Sequence, residues 1–441
     1  MDNSFIYETN TRFIDYKMQG SPNLNNSYGS LKDLLKITLT EGFNIQKPLK
    51  IEYDSDNNFL ILFYDQKHGY LYNQVLSLTG SDESIFEGEF RVVESRTKTL
   101  KLAFNKKTSL DIVISTEGFT TKVAPLGYSV VFEDLTNNTI CFQNASVKSS
   151  AILKVIDAIP PNGYGTTWNK YARVVVGQEI DSYGNFINNE KTPYWDSYPD
   201  VEETGNGVSG SSGIHGFAKW DYAIRNNSYD VSEIHTERGR YPTDWRIIGD
   251  DKTFYLMIRP GGQETYSYNV LGYGNFVSDS LEDTNNICLQ ARNGLVDASS
   301  NDGNNFSRTR NNFGVLDRPY GGFLFSNIFG NIKTEDSNRY SCEGFYVGGS
   351  NANRPWKSTD FKSVNPVTGL WTTSKLYIKD SDNYLRGYHR GIRIFCGPQD
   401  ITDNAASRSG DIVLRVQTPT EDSNFETMPL LFTLKDWEYI E

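Results

Sequence analysis

Thr99-Leu100-Lys101-Leu102-Ala103-Phe104 decides the fold class. Leu100, Leu102 and Phe104 alternate with Lys101 and Ala103, the period-two pattern of a strand with one face in a core. The same pattern recurs on either side. Leu49 to Tyr53 and Phe59 to Tyr64 flank the turn-rich joint Asp54-Ser55-Asp56-Asn57-Asn58. Val75 to Leu78 runs into Thr79-Gly80, and Phe90 and Val92 continue the meander. Asp111 to Ser115, Ser129 to Asp134 and Thr139 to Gln143 are further expected strands.

One segment breaks the pattern. Leu31, Leu34, Leu35 and Leu39 recur at helical spacing, with Ser30 at the N-cap position and Asp33 three residues on. Gly42 ends the run, so a helix is expected near residues 30–41, covering one end of a small sheet. Beyond Ile159-Pro160-Pro161-Asn162-Gly163 strands resume at Lys170 to Val176, Trp245 to Ile248, Thr253 to Ile258 and Phe323 to Phe329. Ser374 to Ile378, Asp411 to Val416 and Leu430 to Leu434 follow. Helical crossovers are missing from this half, so its strands are expected to pair mostly antiparallel. The chain reads as mainly β: a small N-terminal module with one α-helix, residues 1–156, then a larger β-rich domain with long loops, residues 157–441.

Residues 181–216 turn polar and Gly-rich, ending in Gly205-Asn206-Gly207-Val208-Ser209-Gly210-Ser211-Ser212-Gly213. A loop of that length is unusual in a compact domain. An arm lying on another subunit and a disordered excursion both fit it. Asp297 to Asn312 is a second polar stretch, rich in Asn.

Composition narrows the function classes. The formal net charge of -12 argues against nucleic-acid and anionic-membrane partners. Only 37% of residues are hydrophobic, but 27 Tyr and 25 Phe supply core area, since each buried aromatic covers roughly 150–250 Å². No apolar run approaches the ~18 residues of a membrane-spanning helix, and Met1 to Glu8 lacks the basic and apolar regions of a signal peptide. Cys141, Cys288, Cys342 and Cys396 lie far apart, which fits isolated buried thiols and neither a zinc site nor a disulfide framework.

Several residue groups carry side chains capable of chemistry. Asp54-Ser55-Asp56-Asn57-Asn58 opens like a calcium loop, but Phe59 stands where the EF-hand needs Gly and Asp65 where it needs a bidentate Glu, so a hairpin turn is the better reading. Asp380-Ser381-Asp382-Asn383 is similar. His68, His215, His235 and His389 form no metal motif and are expected as surface or packing residues. No G-x-S-x-G is present, and Asp250, Asp251, Asp279, Glu282 and Asp283 show no pairing from sequence. No catalytic group, metal or cofactor is expected. Trp168, Tyr183, Tyr194, Trp195, Tyr198 and Trp220 gather around the polar arm as a candidate glycan-stacking strip or protein interface. Arg386-Gly387-Tyr388-His389-Arg390-Gly391 is locally basic, and Arg386 and Arg390 are candidate contacts in an ion-paired interface or a tight turn.

A series of short motifs runs through the whole chain in a fixed order. Ser21-Pro22 leads to Tyr28-Gly29-Ser30-Leu31 and on to Glu41-Gly42-Phe43. Leu78-Thr79-Gly80, Glu89 to Val93 and Ala124-Pro125-Leu126-Gly127-Tyr128 follow, then Arg173-Val174 and Asp244 to Asp250. Phe254-Tyr255, Gly274-Asn275-Phe276, Leu385-Arg386-Gly387-Tyr388 and Asp436-Trp437 complete it. In this order they resemble a family of tailed-bacteriophage virion proteins. The resemblance implies a non-enzymatic virion component of the tail, baseplate or neck, with no catalytic residues to carry over. Its implied partners are other virion proteins and further copies of the chain in a symmetric assembly. The alternative is a host-surface carbohydrate-binding protein, with the Trp168–Trp220 strip meeting a host glycan. Leu31, Leu34 and Leu35 are expected to hold the module together, with Trp245 and Trp437 as core or interface anchors.

Overall fold

The computed structural model describes residues 7–81, 84–104, 106, 115–145, 151–159, 170–187, 191–193, 217–223, 243–259, 268–278, 286–293, 322–325, 339–344, 371–380, 384–396, 411–419, 425–434 and 437. The chain is mainly β, with antiparallel pairing throughout the described sheets. The described residues form three sheets. The first runs Phe43–Gln46, Thr120–Val123, Val75–Thr79, Gly88–Ser95, Thr99–Ala103, Phe59–Phe63, Lys50–Asp54. Leu100 and Leu102 are fully buried while Lys101 is half-buried, so the alternation that decided the fold class is realised. The second runs Arg292–Asn293, Ala218–Ala223, Lys170–Gly177, Ile152–Ile156, Thr139–Gln143, Ser129–Asp134.

The third and largest sheet starts with Arg12–Asp15, Asp244–Gly249, Thr253–Arg259, Asn269–Asn275 and Ile287–Gln290. It continues through Gly322–Phe325, Arg339–Gly344, Thr373–Asp380, Leu385–Phe395, Phe425–Thr433 and Asp411–Pro419. Val277–Ser278, just after Asn269–Asn275, pairs with Leu385–Phe395 from the far part of this sheet, which therefore curls back on itself. Every residue of Thr253–Arg259 is buried, so both faces of the strand are covered.

The boundary expected at 156/157 falls inside a sheet. Ile152–Ile156 pairs along its whole length with Lys170–Gly177, from Ile152 opposite Gly177 to Ile156 opposite Arg173. Arg12–Asp15, expected in the N-terminal module, is instead the edge strand of the largest sheet. A proline pair in the sequence marks a local break and places no limit on which strands pair across it. The expected strand Asp111 to Ser115 falls mostly on residues 107–114, outside the described residues, as do residues 297–312.

The α-helix Ser30–Lys36, the only one among the described residues, continues as the wider turn Ile37–Glu41. Leu31, Leu34, Leu35 and Leu39 are all fully buried, which gives the Leu residues their expected role. Gly42 ends it at φ +76, where a Cβ would stand 2.4 Å from the carbonyl oxygen of Val123. The helix start differs from expectation. Ser30 is the first helical residue, and its Oγ donates to the Asn25 carbonyl at 3.0 Å. The cap comes from Asp157, whose Oδ2 accepts the N–H groups of Leu31 at 2.9 Å and Lys32 at 3.2 Å. Lys32 and Lys36 reach Glu133 on the strand Ser129–Asp134, at 3.3 and 2.6 Å. The helix is thus fastened to the second sheet along its length, while its end meets the first sheet, where Lys122 Nζ donates to the Glu41 carbonyl at 2.7 Å.

Asp157 carries a testable pH signature. Burial pushes its carboxyl up to about 6, against the opposing hydrogen bonds from Tyr222 and the helix N–H groups. The folded state therefore holds a proton that the unfolded chain releases at the ordinary 3.8. Stability from this group is present at acidic pH and lost as pH rises through about 6. Asp157→Asn is expected to remove a slope worth roughly 2–3 kcal/mol between these pH values, read as the difference between wild-type and variant denaturation curves. Parallel pH profiles of the two proteins would contradict it.

Candidate functional site

The motifs that lie far apart in sequence meet in the curled sheet. Asp244–Gly249 is held at its start by Trp245, whose Nε1 donates to the Pro22 carbonyl at 3.1 Å, and by Thr243, whose N–H donates to Leu24 at 2.6 Å. The Ser21-Pro22 turn is thereby tied to the Asp244–Asp250 motif. Two buried ion pairs lie directly across strands: Arg246 with Asp15, and Arg259 with Asp244, each at 2.9 Å. Both guanidinium groups also face the Tyr268 ring, at 4.9 and 4.7 Å.

Asp250 closes the strand. Its Oδ1 accepts the backbone N–H of Lys252 at 2.9 Å and Thr253 at 2.8 Å, forming the turn into Thr253–Arg259. Its Oδ2 faces Arg390 Nη2 at 3.0 Å, and Arg390 Nη1 donates to Thr253 Oγ1 at 3.3 Å. Both side chains are almost wholly buried. Burial raises the Asp250 carboxyl, with the Arg390 charge opposing it.

On the next strand residue, Tyr255 Oη donates to the Arg390 carbonyl at 3.1 Å and lies 3.4 Å from His389 Nδ1. Its ring also packs against Trp437 and Phe432. His389 sits 3.9 Å from Cys288 Sγ. A thiol beside an imidazole is the geometry of a nucleophile and its base. Here both groups are buried, and desolvation drives His389 down to about 3, so the imidazole is neutral and enclosed. The pair is packing.

Two glycines allow the strand Leu385–Phe395 to enter this core. At Gly387, φ +143, a Cβ would stand 1.8 Å from the Val277 carbonyl oxygen; at Gly391, φ +64, it would stand 2.1 Å from the Trp437 indole. The other face of Thr253–Arg259 meets the second sheet through Phe254, which packs edge-on against Tyr128 and Trp220. The Ala124–Tyr128 motif closes the circuit. The N–H groups of Leu126, Gly127 and Tyr128 donate to the Thr38 and Leu39 carbonyls at the end of the helix.

The expected contact residues fare unevenly. Trp220 is fully buried, with Nε1 donating to the Gln290 carbonyl at 2.9 Å, so it is a core residue and not part of a stacking strip. Arg390 is buried on Asp250 and is not a surface contact. Arg386 is half-buried, donates to Asp380 at 2.6 Å and stacks near the exposed Tyr384, so its ion pair lies within the chain. Tyr183 is exposed in a turn built on Asp181. Trp168, Tyr194, Trp195 and Tyr198 lie outside the described residues. Of the carboxylates considered for hydrolysis, Asp250 is committed to Arg390, and Asp279, Glu282 and Asp283 lie outside the described residues.

Asp54 accepts the N–H of Asn57 at 3.2 Å in a hairpin closed by Asn58 at φ +56, as the turn reading expects. Asp134, Asn137 and Asn138 repeat the arrangement, which the sequence reading missed although Asp134-Leu135-Thr136-Asn137-Asn138 shares the pattern. His68 and His389 are buried packing residues, while His215 and His235 lie outside the described residues. Cys141, Cys288 and Cys396 are buried free thiols. Trp245 and Trp437 are buried core anchors.

No protein-family model matches the chain, and no curated protein matches it in sequence. Among solved structures it is similar to phage phi92 endosialidase at 10% identity and a TM-score of 0.14, over 90% of this chain and 53% of that one. The chain spans about half the length of that protein. A superposition of that quality establishes neither a common architecture nor a common activity.

Proposed function

We propose that this chain is a non-enzymatic structural component of a tailed-phage virion, in the tail, baseplate or neck, working through multivalent contacts with other virion proteins and with its own copies. The observation that carries this reading is the convergence of the motifs behind the resemblance. Leu126, Tyr128, Trp245, Asp250, Tyr255, Gly387 and Trp437 are buried, and Pro22 and Gly127 join them through backbone hydrogen bonds. Among the described residues these side chains hold the sheets together through core packing and backbone hydrogen bonds. A framework of this kind is what an assembly protein needs, and it supports the structural reading.

A density map of intact particles from the source, with this chain fitted, tests the proposal. Repeated, symmetric copies at the neck, tail or baseplate are the expected result. Absence of the chain from purified particles would overturn it and turn attention to glycan binding by the segment holding Trp168, Tyr194, Trp195 and Tyr198.

A further inference from the structure

Two strands end their sheets with an open side. Among the described residues, Ser129–Asp134 ends the second sheet and pairs only with Thr139–Gln143, while Lys50–Asp54 ends the first and pairs only with Phe59–Phe63. No backbone hydrogen bond reaches the outer edge of either strand among the described residues. An open edge is a template for another strand, and proteins commonly blunt it with charge. Ser129–Asp134 is not blunted in that way where it is most open, since Val130 is 36% and Val131 40% exposed. Val131 is the extra residue of a bulge between the partners Cys141 and Phe142, which adds a twist that an added strand has to follow. Leu135 just beyond the strand is exposed, as is Tyr183 in the turn whose Gly184 lies against the Phe132 ring. The Lys50–Asp54 edge has exposed apolar residues of its own, Ile45 and Leu49, just before it.

We propose that copies of this chain join head to tail, the Lys50–Asp54 edge of one adding antiparallel to the Ser129–Asp134 edge of the next. Charge selects a second copy as the occupant. Lys47 and Lys50 stand at the start of one edge, and Asp134 stands at the end of the other. Antiparallel addition brings these ends together, whereas parallel addition would set Asp54 against Asp134. Lys50 also pairs with Glu52 in its own strand, and Glu133 is held by Lys32 and Lys36. Lys47 and Asp134 have no ion-pair partner among the described residues, although Asp134 accepts the N–H groups of Thr136 and Asn137 in its own turn. Two Lys50–Asp54 edges would face Glu52 with Glu52, and two Ser129–Asp134 edges would leave Lys47 unmatched. A contact between two different edges is heterologous, so it repeats around a ring or along a filament. The proposal rests on the assembly reading above, which supplies the further copies.

Sedimentation velocity of the full chain over a concentration series tests the contact, with Val131→Lys to block one edge and Leu49→Asp to block the other. Both positions are exposed, so each variant should stay folded, which thermal melting establishes. The wild-type chain is expected to form larger species as concentration rises, and each variant alone to associate about tenfold more weakly or less. Mixed in equal amounts, the two variants keep one intact pair of edges and should form a dimer of one copy of each. If Leu49→Asp alone still dimerises while Val131→Lys does not, two Ser129–Asp134 edges pair with one another and the head-to-tail contact is overturned. A wild-type chain that stays monomeric, or association untouched by both variants, overturns it as well. The virion reading fails by a different result, the absence of the chain from purified particles.

Discussion

Replacing Arg390 by Ala is expected to lower the unfolding free energy by about 3–5 kcal/mol, because it leaves the Asp250 carboxylate buried without its counter-charge. Asp250 lies almost wholly inside the protein and faces the guanidinium at 3.0 Å. Asp250→Ala should cost a similar amount through the opposite orphan. It also removes the acceptor for the Lys252 and Thr253 N–H groups that shape the turn. The pair itself need not be strongly stabilising, since desolvating two ions offsets most of their attraction. The combined Asp250→Asn, Arg390→Met protein should therefore lose less than the sum of the single losses, a coupling that urea denaturation in a double-mutant cycle measures directly. Additive losses would mean that the two side chains act independently and that the closing contact of the network lies elsewhere.

Trp220→Ala is expected to cost about 3–5 kcal/mol, the range for emptying a large aromatic site in a core. The indole is fully buried, edge-on to Phe254, and its N–H satisfies the buried Gln290 carbonyl. Trp220→Phe should lose less, since it keeps most of the volume and gives up the hydrogen bond. The measurement discriminates between functions. A tryptophan that stacks on a sugar from the surface can be truncated with a stability change within about 0.5 kcal/mol. Trp220→Ala with an unchanged denaturation midpoint would return this residue to the glycan strip and reopen the receptor-binding reading.

The sequence by itself determined the β character, the position of the one helix, and most strand centres, including Thr99–Ala103, Ser129–Asp134 and Asp244–Gly249. These depend on short-range physics: alternation against one core face, a leucine stripe at helical spacing, and turn chemistry such as Asp54 to Asn58. It missed Arg12–Asp15, Ala218–Ala223 and Leu385–Phe395, whose charged residues resemble solvent-facing positions. In the fold Asp15, Lys219 and Arg390 are buried against Arg246, Tyr171 and Asp250. Only the partner makes such burial tolerable, and the partner is distant in sequence. The same reason hid the Asp157 cap, which lies more than a hundred residues from the helix it completes. The motifs of the resemblance were all legible in order. That Arg390 is buried was decided by the curl of the largest sheet, and that Trp220 is buried by the packing of the second sheet on Phe254, because which strand covers which is a tertiary property that no local spacing encodes.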